Sequence, residues 1–245
     1  MKIAVISDIH GNIEALKTVL DDIQDQGCEK IFALGDYAMA GPNPKETVDF
    51  FINNPDKFSM IQGNTDLMIA DYDENLFEFL KEKAPVMAEA LKNDVSILNE
   101  SQKNFLKKLP EKLEIEADGV KFLLVHGSPR KNNEDILPDT PLEKLEEIIS
   151  GIDSDVILCG HTHIPCGFQT NSKKTVVNVG SVGRPFTPEP KSCYLKITVN
   201  NGSCVFEHRF VEYDNLLSAN ILEKRNFDGA KKLAQTLINP KMRHF

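Results

Sequence analysis

Residues 3–6, Ile-Ala-Val-Ile, form an unbroken apolar run, and the following segment carries Ile13, Leu16, Val19, Leu20 and Ile23 on one helical face. This pattern predicts a buried strand and then an amphipathic helix. It recurs with "KIFALGD" at 30–36, a helix over about 45–53, and a third apolar strand in "FSMIQG" at 58–63. Apolar strands that alternate with helices predict a largely parallel sheet covered on both faces.

From about 67 to 109 the texture changes to helical periodicity rich in Glu and Lys, with Phe77, Leu80, Val86, Met87 and Leu91 at the buried spacing. This segment reads as a helical insertion or cap. Strands are expected again at 112–116, 120–126 and 155–160, with a helix at 141–150 between the last two. The stretch 164–210 reads as a run of strands with turns at Asn171-Ser172 and Asn200-Asn201-Gly202, hence an antiparallel portion. Helices over about 214–223 and 227–238 follow. No internal repeat is visible, so the expectation is one domain over 1–245 with the insertion at 67–109.

Charge narrows the partners. A formal net charge of −9, with acids and bases scattered, disfavours broad binding to nucleic acid or to an anionic membrane, because both need a basic face. No apolar run approaches membrane-spanning length, and the apolar stretch in "MKIAVISDIHG" is too short for a signal-peptide core, so a cytoplasmic protein is expected. The five cysteines, Cys28, Cys159, Cys166, Cys193 and Cys204, are odd in number and lack a CxxC pair. That argues against a disulfide framework or a thiolate zinc site, with Cys166 set apart only by its closeness to "GHTH".

The polar residues gather where strands are expected to end: Asp8 and His10 after the first, Asp36 after the second, Asn64 after the third, His126 after "FLLV", and His161 and His163 after "VILCG". In an open α/β sheet, ligands bind beyond the carboxyl ends of the strands. Each residue alone has an ordinary reading: a helix cap for Asp8, turns for Asp36 and Asn64, a core histidine for His126. Together, three carboxylate or amide oxygens and four imidazoles can serve two divalent ions, with one carboxylate left to bridge them. Nitrogen and oxygen ligands without thiolate favour manganese, iron, cobalt, nickel or zinc over magnesium and calcium.

In order and approximate spacing, "DIH", "GD", "GNTD", "HG" and "GHTH" resemble the motif series D-x-H, G-D, G-N-H-[DE], H and G-H-x-H of the calcineurin-like metallophosphoesterases. The flanks "SDIHGN", "GDYAMAGPNPKE", "HGSPR" and "NVGSVGRP" are similar to those of the small bacterial and archaeal phosphodiesterase branch. The resemblance implies a four-layer α/β/β/α sandwich of two mixed sheets around a dinuclear centre, manganese being the first expectation. By motif, Asp8, His10, Asp36 and His163 would hold one ion, and Asp36, Asn64, His126 and His161 the other, with Asp36 as the bridge. Asp36, Asn64 and His126 are the expected catalytic group.

The reaction implied is attack by metal-bound hydroxide on a phosphodiester or nucleotide phosphoanhydride, without a covalent enzyme intermediate. The alternatives are a phosphomonoesterase or protein phosphatase on the same site, and a non-catalytic scaffold that keeps the fold. Thr65 departs from the pattern, because many relatives carry a histidine there to protonate the leaving oxygen. Arg130, Arg184 and Asn12 flank the motifs and are the expected contacts to a small phosphorylated substrate, a nucleotide among the candidates, with a turn as the alternative role for Asn12. Neither Ser128 nor Ser181 lies in a G-x-S-x-G elbow. A homo-oligomer is compatible with this reading, with 67–109 as either cap or interface.

Overall fold

The computed structural model describes residues 1–240. The first half runs β1 (Lys2–Ile6), α1 (Ile13–Asp25), β2 (Lys30–Ala33), α2 (Pro44–Ile52) and β3 (Phe58–Met60), followed by α3 (Asn64–Ala70), α4 (Glu74–Lys83), α5 (Pro85–Ile97) and α6 (Glu100–Lys108). Then come β4 (Lys112–Ala117), β5 (Val120–Val125), α7 (Leu142–Ile148), β6 (Val156–Cys159), β7 (Cys166–Gln169) and β8 (Thr175–Asn178). The long hairpin β9 (Ser192–Asn200) and β10 (Ser203–Val211) leads to α8 (Asn215–Glu223) and α9 (Ala230–Ile238).

Two mixed sheets result, ordered β10-β9-β1-β2-β3 and β4-β5-β6-β8-β7. Each has a parallel centre, β1-β2-β3 in one and β5-β6-β8 in the other, extended by antiparallel strands. The period-2 alternation of each strand explains the stacking. In β1, Ile3 and Val5 pack between the sheets with Phe32, Phe122 and Leu195, while Ala4 and Ile6 face the helices. In β5, Phe122 and Leu124 enter the same inter-sheet core, and Leu123 and Val125 meet Leu145 and Ile148 of α7. The layers are therefore helices, sheet, sheet and helix, an α/β/β/α sandwich. Each fully buried large apolar side chain in such a core contributes about 1.5–3 kcal/mol.

The expected helical stretch resolves into α3 to α6. Ile69, Leu91, Leu98 and Leu106 join the core of the outer helical layer, α6 rests against α2 and α3, and α5 touches α9. Two departures from the sequence pattern bear on the site. First, α3 starts at Asn64 rather than near 67, because Asp66 three residues after Gly63 reaches back to accept the Gly63 N–H at 2.8 Å, the one half of a capping box that a glycine N-cap permits. Second, the strands of 164–210 do not form one antiparallel block: β7 and β8 extend one sheet, with β8 parallel to β6, and β9 and β10 extend the other.

Candidate metal centre

Beyond the carboxyl ends of β1, β2, β5 and β6, the chain turns sharply. Asp8 (φ 55°), His10 (47°), Asp36 (57°), His161 (65°) and His163 (62°) all have left-handed backbones. Non-glycine residues held in this region cost on the order of 1–3 kcal/mol each and persist only where surroundings over-determine them. Here the loops lock one another: Asp8 N–H donates to Gly35 O at 3.1 Å, His10 N–H to Asp36 O at 2.9 Å, and Gly183 N–H to Asp8 O at 3.0 Å. The approach is close enough to require glycine. A Cβ at residue 63 would lie 2.1 Å from Asp36 Oδ1, and one at residue 160 would lie 2.6 Å from Asp8 Oδ2.

Three imidazoles are fixed in the same way. Nδ1 of His10 donates to Met39 O at 2.7 Å, Nδ1 of His126 to Leu34 O at 2.7 Å, and Nδ1 of His163 to Arg184 O at 2.5 Å. A carbonyl can only accept, so Nδ1 carries a proton in each ring and Nε2 is turned toward the centre. There, Asp8 Oδ1 lies 3.2 Å from His163 Nε2, 3.8 Å from His10 Nε2 and 3.9 Å from His126 Nε2. Asp36 Oδ2 lies 3.6 Å from His10 Nε2 and 3.4 Å from His126 Nε2, and Asn64 Oδ1 is 3.0 Å from His126 Nε2.

Electrostatics sharpen the picture. Burial raises the Asp8 carboxyl, but the His163 and His126 imidazoles outweigh it and bring it to about 2. Against the same burial, His126 and His10 drive Asp36 well below the carboxylate range. Burial and the neighbouring His163 push His10 down to about 4. Burial disfavours charge on His126 too, yet the Asp36 and Asp8 carboxylates carry it up to about 10.

These residues fit a cation. Ligand atoms of Asp8, His10 and His163, and of Asp8, Asp36 and His126, form two overlapping sets, each within 4.8 Å. Asp8 Oδ1, at their meeting point, is buried and accepts no hydrogen bond among the described residues. Two Nε2 atoms, of His10 and His163, face each other at 3.1 Å. A buried carboxylate oxygen without a donor beside converging ring nitrogens is what a divalent ion completes. The overlap suggests a dinuclear centre. Asp8 is the residue common to both sets, while Asp36 also reaches a histidine of each.

The other expected residues are distributed unevenly. His161 donates its backbone N–H to Asp8 Oδ2 at 3.0 Å, and its ring lies 5.4 Å from that of His126. Its Nε2, however, is 3.3 Å from Asp135 Oδ1, and the residue belongs to neither set. Arg184, Thr65, Met87 and Phe186 line a cavity of about 250 Å³ over the cluster. Arg130 does not line it and is paired with Glu134, which also accepts from Ser128. Asn12 is fully buried, its amide oxygen capping α1 at Ala15 N–H and its amide nitrogen on Gly183 O at 3.0 Å. Both side chains are engaged by the fold, Asn12 out of reach of a ligand in the cavity.

Three contributors escaped the sequence reading. Asp66, buried, accepts the backbone N–H groups of Asp36 and Gly63 through Oδ2 at 2.8 Å each and that of Tyr37 through Oδ1 at 2.9 Å. Its burial and the repulsion from Asp36 push it up to about 7, opposed by those donors. Its place three residues after Gly63, before an apolar helix, was a legible capping signal. Phe186 stacks on His163 at 4.7 Å and 15°, and Asp135 meets His161; neither has a local sequence signature.

Among the described residues no helix is long and apolar enough to cross a membrane. Comparison with known proteins agrees with the geometry. A protein of Methanocaldococcus jannaschii, itself described as uncharacterised, is 33% identical over 235 residues, covering 86% of this chain and 88% of its own. A hypothetical protein from Pyrococcus horikoshii superposes with a TM-score of 0.85 at 23% identity, over 99% of both chains. A metallophosphoesterase from Sphaerobacter thermophilus does so with a TM-score of 0.77 at 23% identity, over 97% of this chain and 98% of its own. At that identity the two structures speak for the fold alone. Residues 1–202 match the model of the calcineurin-like phosphoesterase superfamily domain, and the chain belongs to that superfamily.

Proposed function

We propose that the protein is a metal-dependent phosphohydrolase, of the small bacterial and archaeal branch, that cleaves phosphodiesters or nucleotide phosphoanhydrides. The observation that carries this reading is the convergence of three carbonyl-anchored imidazoles on two buried carboxylates, one with an oxygen that accepts no hydrogen bond. Two bound divalent ions, manganese first among the candidates, would supply an activated water and neutralise charge building on the phosphoryl oxygens. In this reading Asp8, His10, Asp36 and His163 would hold one ion, and Asp36, Asn64, His126 and His161 would hold the other. Asn64 contributes a neutral oxygen, so the centre keeps net positive charge for an anionic phosphate.

The chain's own residues set the rest. Arg184 lines the cavity and offers a guanidinium to phosphate oxygens. Thr65, at the start of α3, lines the same cavity, and its buried Oγ1 has no hydrogen-bond partner among the described residues. A threonine hydroxyl holds its proton too tightly to act as an acid near neutral pH. The reading therefore favours leaving groups that depart without protonation: activated aryl diesters and phosphoanhydrides rather than simple alkyl esters. The test is turnover of bis-p-nitrophenyl phosphate, p-nitrophenyl phosphate and a dinucleoside polyphosphate by metal-stripped protein, with and without Mn²⁺, beside Asp36→Asn. Diester or anhydride turnover that needs both metal and Asp36 supports the reading. Metal binding without any turnover refutes it in favour of a scaffold.

A further inference from the structure

Two cavities meet at Arg184 and Met87. One holds the ligand cluster; the other, of about 350 Å³, lies between the α4–α5 junction and α9, and both side chains line both. The partition includes a contact between the two side chains, Arg184 Nη1 donating to Met87 Sδ at 3.5 Å. A thioether and a guanidinium on long flexible stems can rotate to join the two spaces without a shift of the backbone.

The second cavity has a cationic lining. Its lining carries Lys83, Lys232 and Arg184 and no carboxylate, in a chain of net charge −9. Apolar Pro85, Val86 and Leu233 lie among the cations. Neither lysine forms an ion pair among the described residues; Lys83 instead stands 4.1 Å over the Phe79 ring. Lys232 lies beyond the residues 1–202 that match the superfamily model. Apolar walls edged by cations suit a sugar or base that carries its own phosphate.

We infer that this cavity is a second anion subsite, which holds a phosphate at the remote end of a phosphodiester whose scissile phosphate lies at the ligand cluster. The inference rests on the phosphohydrolase reading. The reaction is unaltered: water adds to the scissile phosphorus, the bond to the leaving oxygen breaks, and the remote phosphate is only held. The α4–α5 junction thereby becomes a wall of the substrate site.

The test compares two esters with the same leaving group, thymidine 5′-(p-nitrophenyl phosphate) with and without a 3′-phosphate, on the Mn²⁺-loaded wild type and a Lys83→Ala/Lys232→Ala double variant. The wild type is expected to show a KM about tenfold lower for the 3′-phosphorylated ester. The double variant should lose that preference and keep kcat on the unphosphorylated ester, and a Lys83→Arg/Lys232→Arg pair should retain the preference. A wild type that does not discriminate, or a double variant that discriminates as well, overturns the subsite and leaves the phosphohydrolase standing. No turnover of either ester by metal-loaded wild type overturns both.

Discussion

A large cavity between the sheet edges and the protein's candidate chemistry lie in different places. A space of about 690 Å³ opens where β10 and β7 part at the edges of the two sheets, lined by residues such as Phe168, Cys204, Phe206 and His208. The cavity over the ligand cluster is about 250 Å³. In the larger space His208 Nε2 is bonded to Asn178 O at 2.7 Å, and burial moves its pKa down toward the neutral ring. In the smaller one, ring nitrogens and carboxylate oxygens face each other, with Asp8 Oδ1 lacking a donor. Splay between twisted sheets makes volume at no chemical cost. A site is recognised instead by strained turns that aim mutually incompatible groups at one point.

That contrast can be broken by experiment. The largest effect belongs to Asp36→Asn, which should lower turnover on the order of 10³-fold in steady-state assays. A residual rate near wild type would remove Asp36 from the centre. Next comes pH. With His126 raised to about 10 in the metal-free protein, a cation has to displace its proton, so apparent metal affinity should rise about tenfold per pH unit and fall roughly a hundredfold from pH 8 to 6. Competitive titration with a metal indicator reads this, and a flat profile would deny that His126 is a ligand.

Asp66→Ala follows. It leaves the N–H groups of Asp36, Tyr37 and Gly63 without their acceptor, and should weaken metal binding about 10–100-fold and stability by about 1–3 kcal/mol. Calorimetry with Mn²⁺ and urea melts would measure both, and unaltered binding would show that the turn holds its shape alone. Thr65→His should speed a p-nitrophenyl or alkyl diester in proportion to how poor its leaving group is, by about tenfold or more for the alkyl ester. Equal acceleration of both would refute the missing-acid account. The smallest effect is expected in the larger cavity: Phe206→Ala should cost about 1–2 kcal/mol in a denaturant melt while kcat stays within about twofold. A strong loss of activity there would erase the distinction between the two spaces.

Seven candidates could be named because strand ends are marked by a switch from apolar runs to polar residues, and of these the structure gathers Asp8, His10, Asp36, His126 and His163 into two ligand sets. Proximity in sequence to those switches was a weaker guide. Asn12 sits two residues after His10 but caps α1, and Arg130 is held by Glu134 on its own loop. Conversely, Phe186 and Asp135 reach the site through loop paths, which no period records. That 164–210 is a run of strands was readable from the sequence; which sheet β7 to β10 join was not, since it depends on how the loop from 179 to 191 crosses between sheets.

The left-handed turns at Asp8, His10, Asp36, His161 and His163 also act as a filter on ligand chemistry. Apart from glycine, which has nothing to coordinate with, the side chains that adopt this conformation most readily are Asp, Asn and His. Carboxylate, amide and imidazole are therefore the donors this backbone favours. The main chain thereby biases the site toward hard and borderline cations, and recasting it for a soft metal with cysteine would carry the added strain of a left-handed residue with no such preference.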